Sequence, residues 1–170
     1  MMIRNIGIAL ATLLLSTTAA AAQDQQPKEQ EAATLGLNHI GFAVTKLDAT
    51  AAFFVDMLGW KPAGGQPDYP AKFVTNGEMF VTLWQVTDPA TAIPFSRKNN
   101  VGLHHMAITV RDLPALHMLH RKFVAHDDVV VEFAPELLGA GPTTHMMVRE
   151  PSGLRLEFIV PASRIQKSAE

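Results

Sequence analysis

The sequence predicts an α+β fold built from two copies of one strand-helix-strand-strand-strand (βαβββ) module. Residues 37–49 and 103–115 superimpose at a constant offset of 66 with five identities, at Leu37, His39, Val44, Leu47 and Ala49 of the first copy. That self-similarity marks an internal duplication. Each copy opens with an alternating strand and continues into an amphipathic helical stretch. Three extended runs separated by Gly, Pro and Asn turn signals then follow each helix. This order calls for curved antiparallel or mixed sheets with the helices on one side.

Ahead of the repeat, Met1 to Asn5 carries one cation, Ile6 to Leu15 is apolar, and Ser16 to Ala22 is small-residue rich. An apolar run of about ten residues is too short to span a membrane as a helix, which takes about 20. Residues 1–22 therefore read as a signal peptide cleaved after Ala22, and the protein as periplasmic or secreted, with no membrane partner once the signal is removed. Residues 23–34, polar and carrying Pro27, are expected to be a disordered lead-in. The folded domain is expected over 35–162, as module 1 (35–88) and module 2 (101–162), with 163–170 as a tail.

In module 1 the first strand runs through His39 to Val44. The helix follows, with Asp48 as the expected N-cap, Ala51, Phe54, Val55 and Leu58 on one face, and Gly59 as the stop. Trp60 to Ala63, Ala71 to Thr75 and Glu78 to Val86 are the expected strands. Gly64-Gly65 and Pro67 to Pro70 read as a loop and Asn76-Gly77 as a hairpin turn. Residues 87–102, with Pro89, Pro94 and Asn99-Asn100, link the modules. Module 2 repeats the order: a strand through His105 to Val110, a helix capped by Asp112 with Pro114 in its first turn and Leu116, Leu119 and Phe123 on one side, then strands over Val129 to Ala134, Thr143 to Arg149 and Leu154 to Val160.

Composition narrows the chemistry. The 170 residues are 48% hydrophobic, carry a formal net charge of −2 with scattered basic residues, and include no cysteine. Nucleic acid is thereby disfavoured as a partner. Disulfides, thiolate metal sites and cysteine nucleophiles are excluded, so a metal must be held by imidazole or oxygen donors.

Strand parity then sorts the side chains by face. Ile40, Phe42 and Val44 share one face, as do Met106, Ile108 and Val110, and Leu156, Phe158 and Val160. These bulky faces should meet the helices. His39, His105 and Glu157 fall on the opposite, concave side. For a lone histidine, packing is the ordinary reading, but equivalence across a repeat and a carboxylate on the matching face favour metal ligation.

The motifs Leu37-Asn38-His39-Ile40-Gly41-Phe42, Met57-Leu58-Gly59-Trp60, Leu103-His104-His105-Met106-Ala107 and Arg149-Glu150-Pro151-Ser152-Gly153-Leu154-Arg155-Leu156-Glu157-Phe158 occur in this order. In that arrangement residues 35–162 resemble the vicinal oxygen chelate superfamily, which includes glyoxalase I, the extradiol dioxygenases, and the fosfomycin and bleomycin resistance proteins. The resemblance implies a curved eight-stranded cup with helices on its outer face. It also implies one divalent ion, Fe(II), Mn(II), Zn(II) or Ni(II), held at His39, His105, Glu157 and position 82. Here position 82 is Thr82, where a glyoxalase-like fourth ligand is usually Glu. The Tyr that extradiol enzymes carry ten residues before the last Glu is here Met147, and the nearest acid or base is His145.

Phe80, Thr82, Trp84, Met147 and Arg155 are the expected substrate-pocket residues, and His145 the expected catalytic group, reading equally as a packing residue. Arg155 reads equally as an anion-binding residue or a salt-bridge partner, and Phe80 and Trp84 read also as core. His104 is expected to be structural, His117 and His120 a surface face, and His126 a solvated turn. The expected function is a metal-dependent enzyme acting on a small oxygen-bearing substrate, either a glyoxalase-like lyase or isomerase or an extradiol-type dioxygenase. The competing reading is a non-catalytic small-molecule sequestration protein of the bleomycin-resistance type. A homodimer is compatible with both.

Overall fold

The computed structural model describes residues 32–167. The expected signal peptide and residues 23–31 of the lead-in lie outside the described residues. Gly36 begins a compact unit that contains every helix and strand described below.

Module 1 comprises β1 (Ile40–Val44), α1 (Leu47–Ala52), β2 (Lys61–Gln66), β3 (Ala71–Thr75) and β4 (Phe80–Gln85). Module 2 comprises β5 (Met106–Thr109), α2 (Leu113–Val124), β6 (Val130–Leu137), β7 (Thr144–Arg149) and β8 (Arg155–Val160), followed by α3 (Ala162–Lys167). Each module forms a four-stranded sheet, in the orders β1-β4-β3-β2 and β5-β8-β7-β6. In each, the first strand pairs parallel with the last and the remaining pairs are antiparallel. The two-module α+β reading is thus the observed fold.

The helix-facing sides carry the core. Phe42, Val44, Val81 and Leu83 from one sheet join Met106, Ile108, Leu156 and Phe158 from the other in a single buried cluster. Phe53 stacks on Phe123 at 5.4 Å between ring centroids, and Phe123 meets Phe158 at 5.0 Å, which ties the helices of the two modules together. Such aromatic pairs add to the area they bury.

Several elements depart from expectation for local reasons. Asp48 is not the cap of α1: Lys46 holds that position without a side-chain cap bond, and Asp48 sits in the first turn, paired with Lys72 at 2.7 Å. The helix continues as a π-helical turn over Phe53–Met57. The widened turn rotates the buried face, so Phe53 joins Phe54 inside, outside the 3.6-residue stripe. Gly59, at φ +74°, ends it as expected.

β2 runs through Gly64-Gly65 instead of ending at Ala63. A bulge between Pro62 and Gly64 accommodates it, and a Cβ on Gly65 would stand 2.5 Å from the Ala71 carbonyl oxygen, so only glycine allows this approach. β6 passes Pro135 to reach Leu137, with two register shifts, as an edge strand can. The expected C-terminal tail begins as α3.

Beyond the aromatic stack, the modules are joined by polar contacts at the β7–β8 turn and at the turn between α2 and β6. Thr50 Oγ1 donates to Glu150 Oε2 at 2.6 Å, the Lys46 backbone N–H donates to Ser152 Oγ at 2.9 Å, and Lys46 Nζ pairs with Asp128 at 2.8 Å. Glu150 is 2% exposed and also accepts from the backbone N–H groups of Ser152 and Leu154. Burial pushes its carboxyl above the ordinary range despite these bonds.

Candidate functional site

The duplication reappears in the strand register. Gly41 is paired with Thr82 across β1 and β4, and Ala107, its equivalent at offset 66, is paired with Glu157 across β5 and β8. Thr82 and Glu157 therefore occupy corresponding positions on the two sheets, on the sides turned away from the helices.

On the module 2 sheet, three ionisable side chains converge. Glu157 is 8% exposed. One of its carboxylate oxygens lies 3.1 Å from His105 Nε2 and the other 2.5 Å from His145 Nδ1. His145, on β7, is buried against the Phe133 ring at 5.1 Å, with its Nε2 3.9 Å from the Glu136 carboxylate. Met147 is the register partner of Glu157 and is buried beside it. Phe133 and Glu136 were not singled out by the sequence. Their register partners are Met147 and His145, but the bulges of β6 shift its parity, so alternation alone does not find them.

The module 1 sheet offers a different surface. Trp84 Nε1 donates to Thr82 Oγ1 at 2.9 Å. Phe73 stands 5.9 Å from Phe80 and 5.7 Å from Trp84, and Tyr69 stands 5.1 Å from Trp84. The expected pocket residues Phe80, Thr82 and Trp84 thus lie together, joined by Phe73 and Tyr69. Phe73, the register partner of Thr82, was legible from the same alternation.

His39 is exposed, hydrogen-bonded to Asn38 at 2.9 Å and edge-on to Phe80 at 6.4 Å. Phe42, Ala43 and Thr45 line one cavity with Leu103 and Arg155, so the C-terminal end of β1 adjoins the beginnings of β5 and β8. His39 precedes Thr45 by six residues, about 20 Å along an extended chain. Within one chain the structure therefore gathers His105, His145 and Glu157, and leaves His39 at the far end of β1. Among the described residues, no three His, Asp or Glu side chains are grouped to hold a metal ion.

The donor chemistry of His105 and Glu157 nonetheless fits a divalent ion. Imidazole nitrogen and carboxylate oxygen are the donors such ions take at about 2.0–2.2 Å, and adjacent donors on one ion then stand about 3 Å apart. His105 and Glu157 stand 3.1 Å apart.

Arg155 engages Glu132 at 2.7 Å and lies 3.4 Å from His104 Nδ1. His104 in turn contacts His105 at 2.8 Å. Loss of water contact, then the charges of Arg155, His105 and Arg97, hold the His104 imidazole below its ordinary range. His117 is exposed on α2, and His126 Nδ1 accepts from the Asp128 N–H in a turn.

The paired modules, their matching register and the polar centre on β5, β7 and β8 agree with a family model. Residues 36–158 match the Glyoxalase/Bleomycin resistance protein/Dioxygenase superfamily. The chain belongs to that superfamily. Solved structures share its fold. A glyoxylase/bleomycin resistance protein/dioxygenase domain from Frankia sp. EAN1pec is 18% identical, covers 81% of this chain and 99% of its own, and has a TM-score of 0.66. Lactoylglutathione lyase from Agrobacterium tumefaciens is 20% identical over 76% of this chain and 96% of its own, with a TM-score of 0.56. The fosfomycin resistance protein FosX from Listeria monocytogenes is 16% identical over 78% and 99%, with a TM-score of 0.58. No curated protein matches the chain. Membership fixes the architecture.

Proposed function

We propose that this member of the superfamily is a metal-dependent enzyme, exported to the periplasm, in which two copies of the chain complete each other's sites. His105 and Glu157 of one copy and His39 of a second hold one divalent ion, Fe(II), Mn(II), Zn(II) or Ni(II). The observation that carries the reading is the buried Glu157 carboxylate with an imidazole at each oxygen. An isolated buried carboxylate is costly, which favours a metal ion or the two imidazoles as its partner. The second copy enters because the structure sets His39 apart from this centre while placing it beside Phe80.

When bound, the ion supplies Lewis-acid stabilisation to negative charge on an oxygen of a small substrate. The chain supplies the rest. Glu157 fixes the His145 ring through Nδ1, which leaves Nε2 as the atom that takes and returns a proton. Phe80, Trp84 and Phe73, arriving with His39, form an apolar wall that excludes water, and Met147 closes the floor beside Glu157. An imidazole base with no Tyr at position 147 favours proton transfer of the lyase or isomerase type over oxygenation. The aromatic cluster of Tyr69, Phe73, Phe80 and Trp84 supports a second reading, a metal-free protein that sequesters a flat apolar molecule.

The test is metal retention in mixed dimers. Wild-type protein should sediment as a dimer and keep its metal through dialysis, whereas His39→Ala and Glu157→Ala should each lose it. After subunit exchange between the two variants, about a quarter of the wild-type metal should return, because half of the dimers are mixed and each mixed dimer rebuilds one site of two. Metal kept by His39→Ala, or no recovery on mixing, sinks the shared site. Metal-free wild type that still binds flat aromatic molecules favours the second reading.

A further inference from the structure

A second cluster lies at the rim of the module 2 sheet. Glu132, with a side chain 13% exposed, is approached by three guanidinium groups: Arg155 Nε at 2.7 Å, Arg149 Nε at 3.1 Å and Arg97 Nη1 at 3.9 Å. Arg149 and Arg155 are register partners across β7 and β8, and Arg97 comes from the linker between the modules. These residues, with Lys98 and Gly153, line a cavity of about 190 Å3. Four cations against one carboxylate leave a formal charge of +3 around a space of a few heavy atoms.

One carboxylate offsets one guanidinium. Holding three close together, with Arg155 only 11% exposed at its side chain, costs repulsion and desolvation that a further anion would offset. Arg155 donates to Glu132 through Nε and Arg149 approaches it with Nε, and each guanidinium also carries terminal Nη donors. A guanidinium presents such donors as a planar fork matched to carboxylate and phosphate oxygens.

We infer that Arg97, Lys98, Arg149 and Arg155 form a binding site for an oxyanion group, carboxylate or phosphate. Arg155 lies two residues before Glu157 on the same strand face, about 7 Å away along β8. The contacts from Arg155 through His104 to His105 link the same two centres. The anion is therefore one end of a small substrate whose other end, some 7 Å distant, carries the oxygens that meet the Glu157 centre. Only this last step rests on the function proposed above; the anion site stands on its own residues.

Thermal unfolding of the full-length protein, titrated with sodium phosphate and with sodium acetate against sodium chloride at matched ionic strength, tests the site. Phosphate or acetate should raise the Tm saturably where chloride does not, and the tighter of the two identifies the group. The double variant Arg97→Ala/Arg149→Gln removes two side chains that are 39% and 51% exposed, so it should keep the unliganded Tm within about 2 °C and weaken the anion response at least tenfold. An equal response to chloride, or an undiminished response in the double variant, overturns the inference. His39→Ala should keep the anion response while losing metal. Retention of metal by that variant refutes the shared metal site and leaves the anion site untouched.

Discussion

The two modules share a fold and a register, yet the sheet faces they turn away from the helices have opposite chemistry. Thr82 and Glu157 stand opposite Gly41 and Ala107 at corresponding points. Around Thr82 the neighbours are Phe73, Phe80 and Trp84, whereas around Glu157 they are His105, His145 and, further out, Arg155. Corresponding positions thus carry different side chains, an aromatic wall on one face and an ionisable cluster on the other. The face of a strand pair thus tells where chemistry is possible, and only the residue that lands there tells whether it occurs.

The comparison breaks most sharply at Glu157. Replacing it by Ala removes the acceptor from two imidazoles at once and makes module 2 resemble module 1 at this point. Metal content should fall at least tenfold by elemental analysis. Chemical denaturation should show a loss of about 1–3 kcal/mol, the cost of leaving buried polar groups without a partner. Unchanged metal content in this variant would mean that the ionisable face is only structural.

Much of this was legible in the sequence because repeats and alternation are local. The offset of 66 matches the first strands of the two modules, and the two-residue period matches Thr82 on the last strand of module 1 to Glu157 on the last strand of module 2. What was not legible depended on irregularity or on distance. The π-helical turn that buries Phe53, the bulges that bring Glu132 and Phe133 to their places on β6, and the glycine-only approach at Gly65 all break the period on which parity rests. His39 illustrates the second limit, since alternation assigns it a face but says nothing of how the end of one module lies against the beginning of the other. Glu150 was read only as part of a turn motif, and its bond to Thr50, 100 positions away in sequence, belongs to the packing of the modules.

Thr82 sharpens the comparison from the other side. Its hydroxyl accepts from Trp84 Nε1 at 2.9 Å, so Thr82→Val should cost about 1 kcal/mol in denaturant unfolding, yet leave metal stoichiometry unchanged. Loss of metal in this variant would show that module 1 contributes a ligand at position 82 after all.

The contact between modules has its own pH signature. Burial raises the Glu150 carboxyl above its unfolded value, so the native state binds this proton more tightly than the unfolded chain does. The stability it contributes is fully present below the unfolded pKa and is lost as pH rises through the higher folded one. Glu150→Gln does not ionise. The Tm of the variant relative to wild type should therefore increase from acid towards neutral pH, by about 2–4 °C over that range. A difference that is flat with pH would mean that Glu150 ionises in the fold as easily as in the unfolded chain.

The smallest effect separates the two helices. Asp112 caps α2, its Oδ1 accepting from the Ala115 N–H at 2.8 Å, while its counterpart in spirit, Asp48, caps nothing and holds an exposed pair with Lys72. Asp112→Ala leaves an orphan N–H at the start of a 12-residue helix and should lower the Tm by about 2–4 °C. Asp48→Ala gives up only a solvated ion pair and a weak dipole interaction, and should change the Tm by less than about 1 °C. Equal losses would place a cap on α1 that the Lys46 geometry does not provide. The expected inequality traces to the repeat itself: at offset 66 Asp112 corresponds to Lys46, and Asp48 corresponds to Pro114. The capping oxygen therefore exists in module 2 alone, and α1 is held in place by Thr50, Phe53 and Phe54 packing below it.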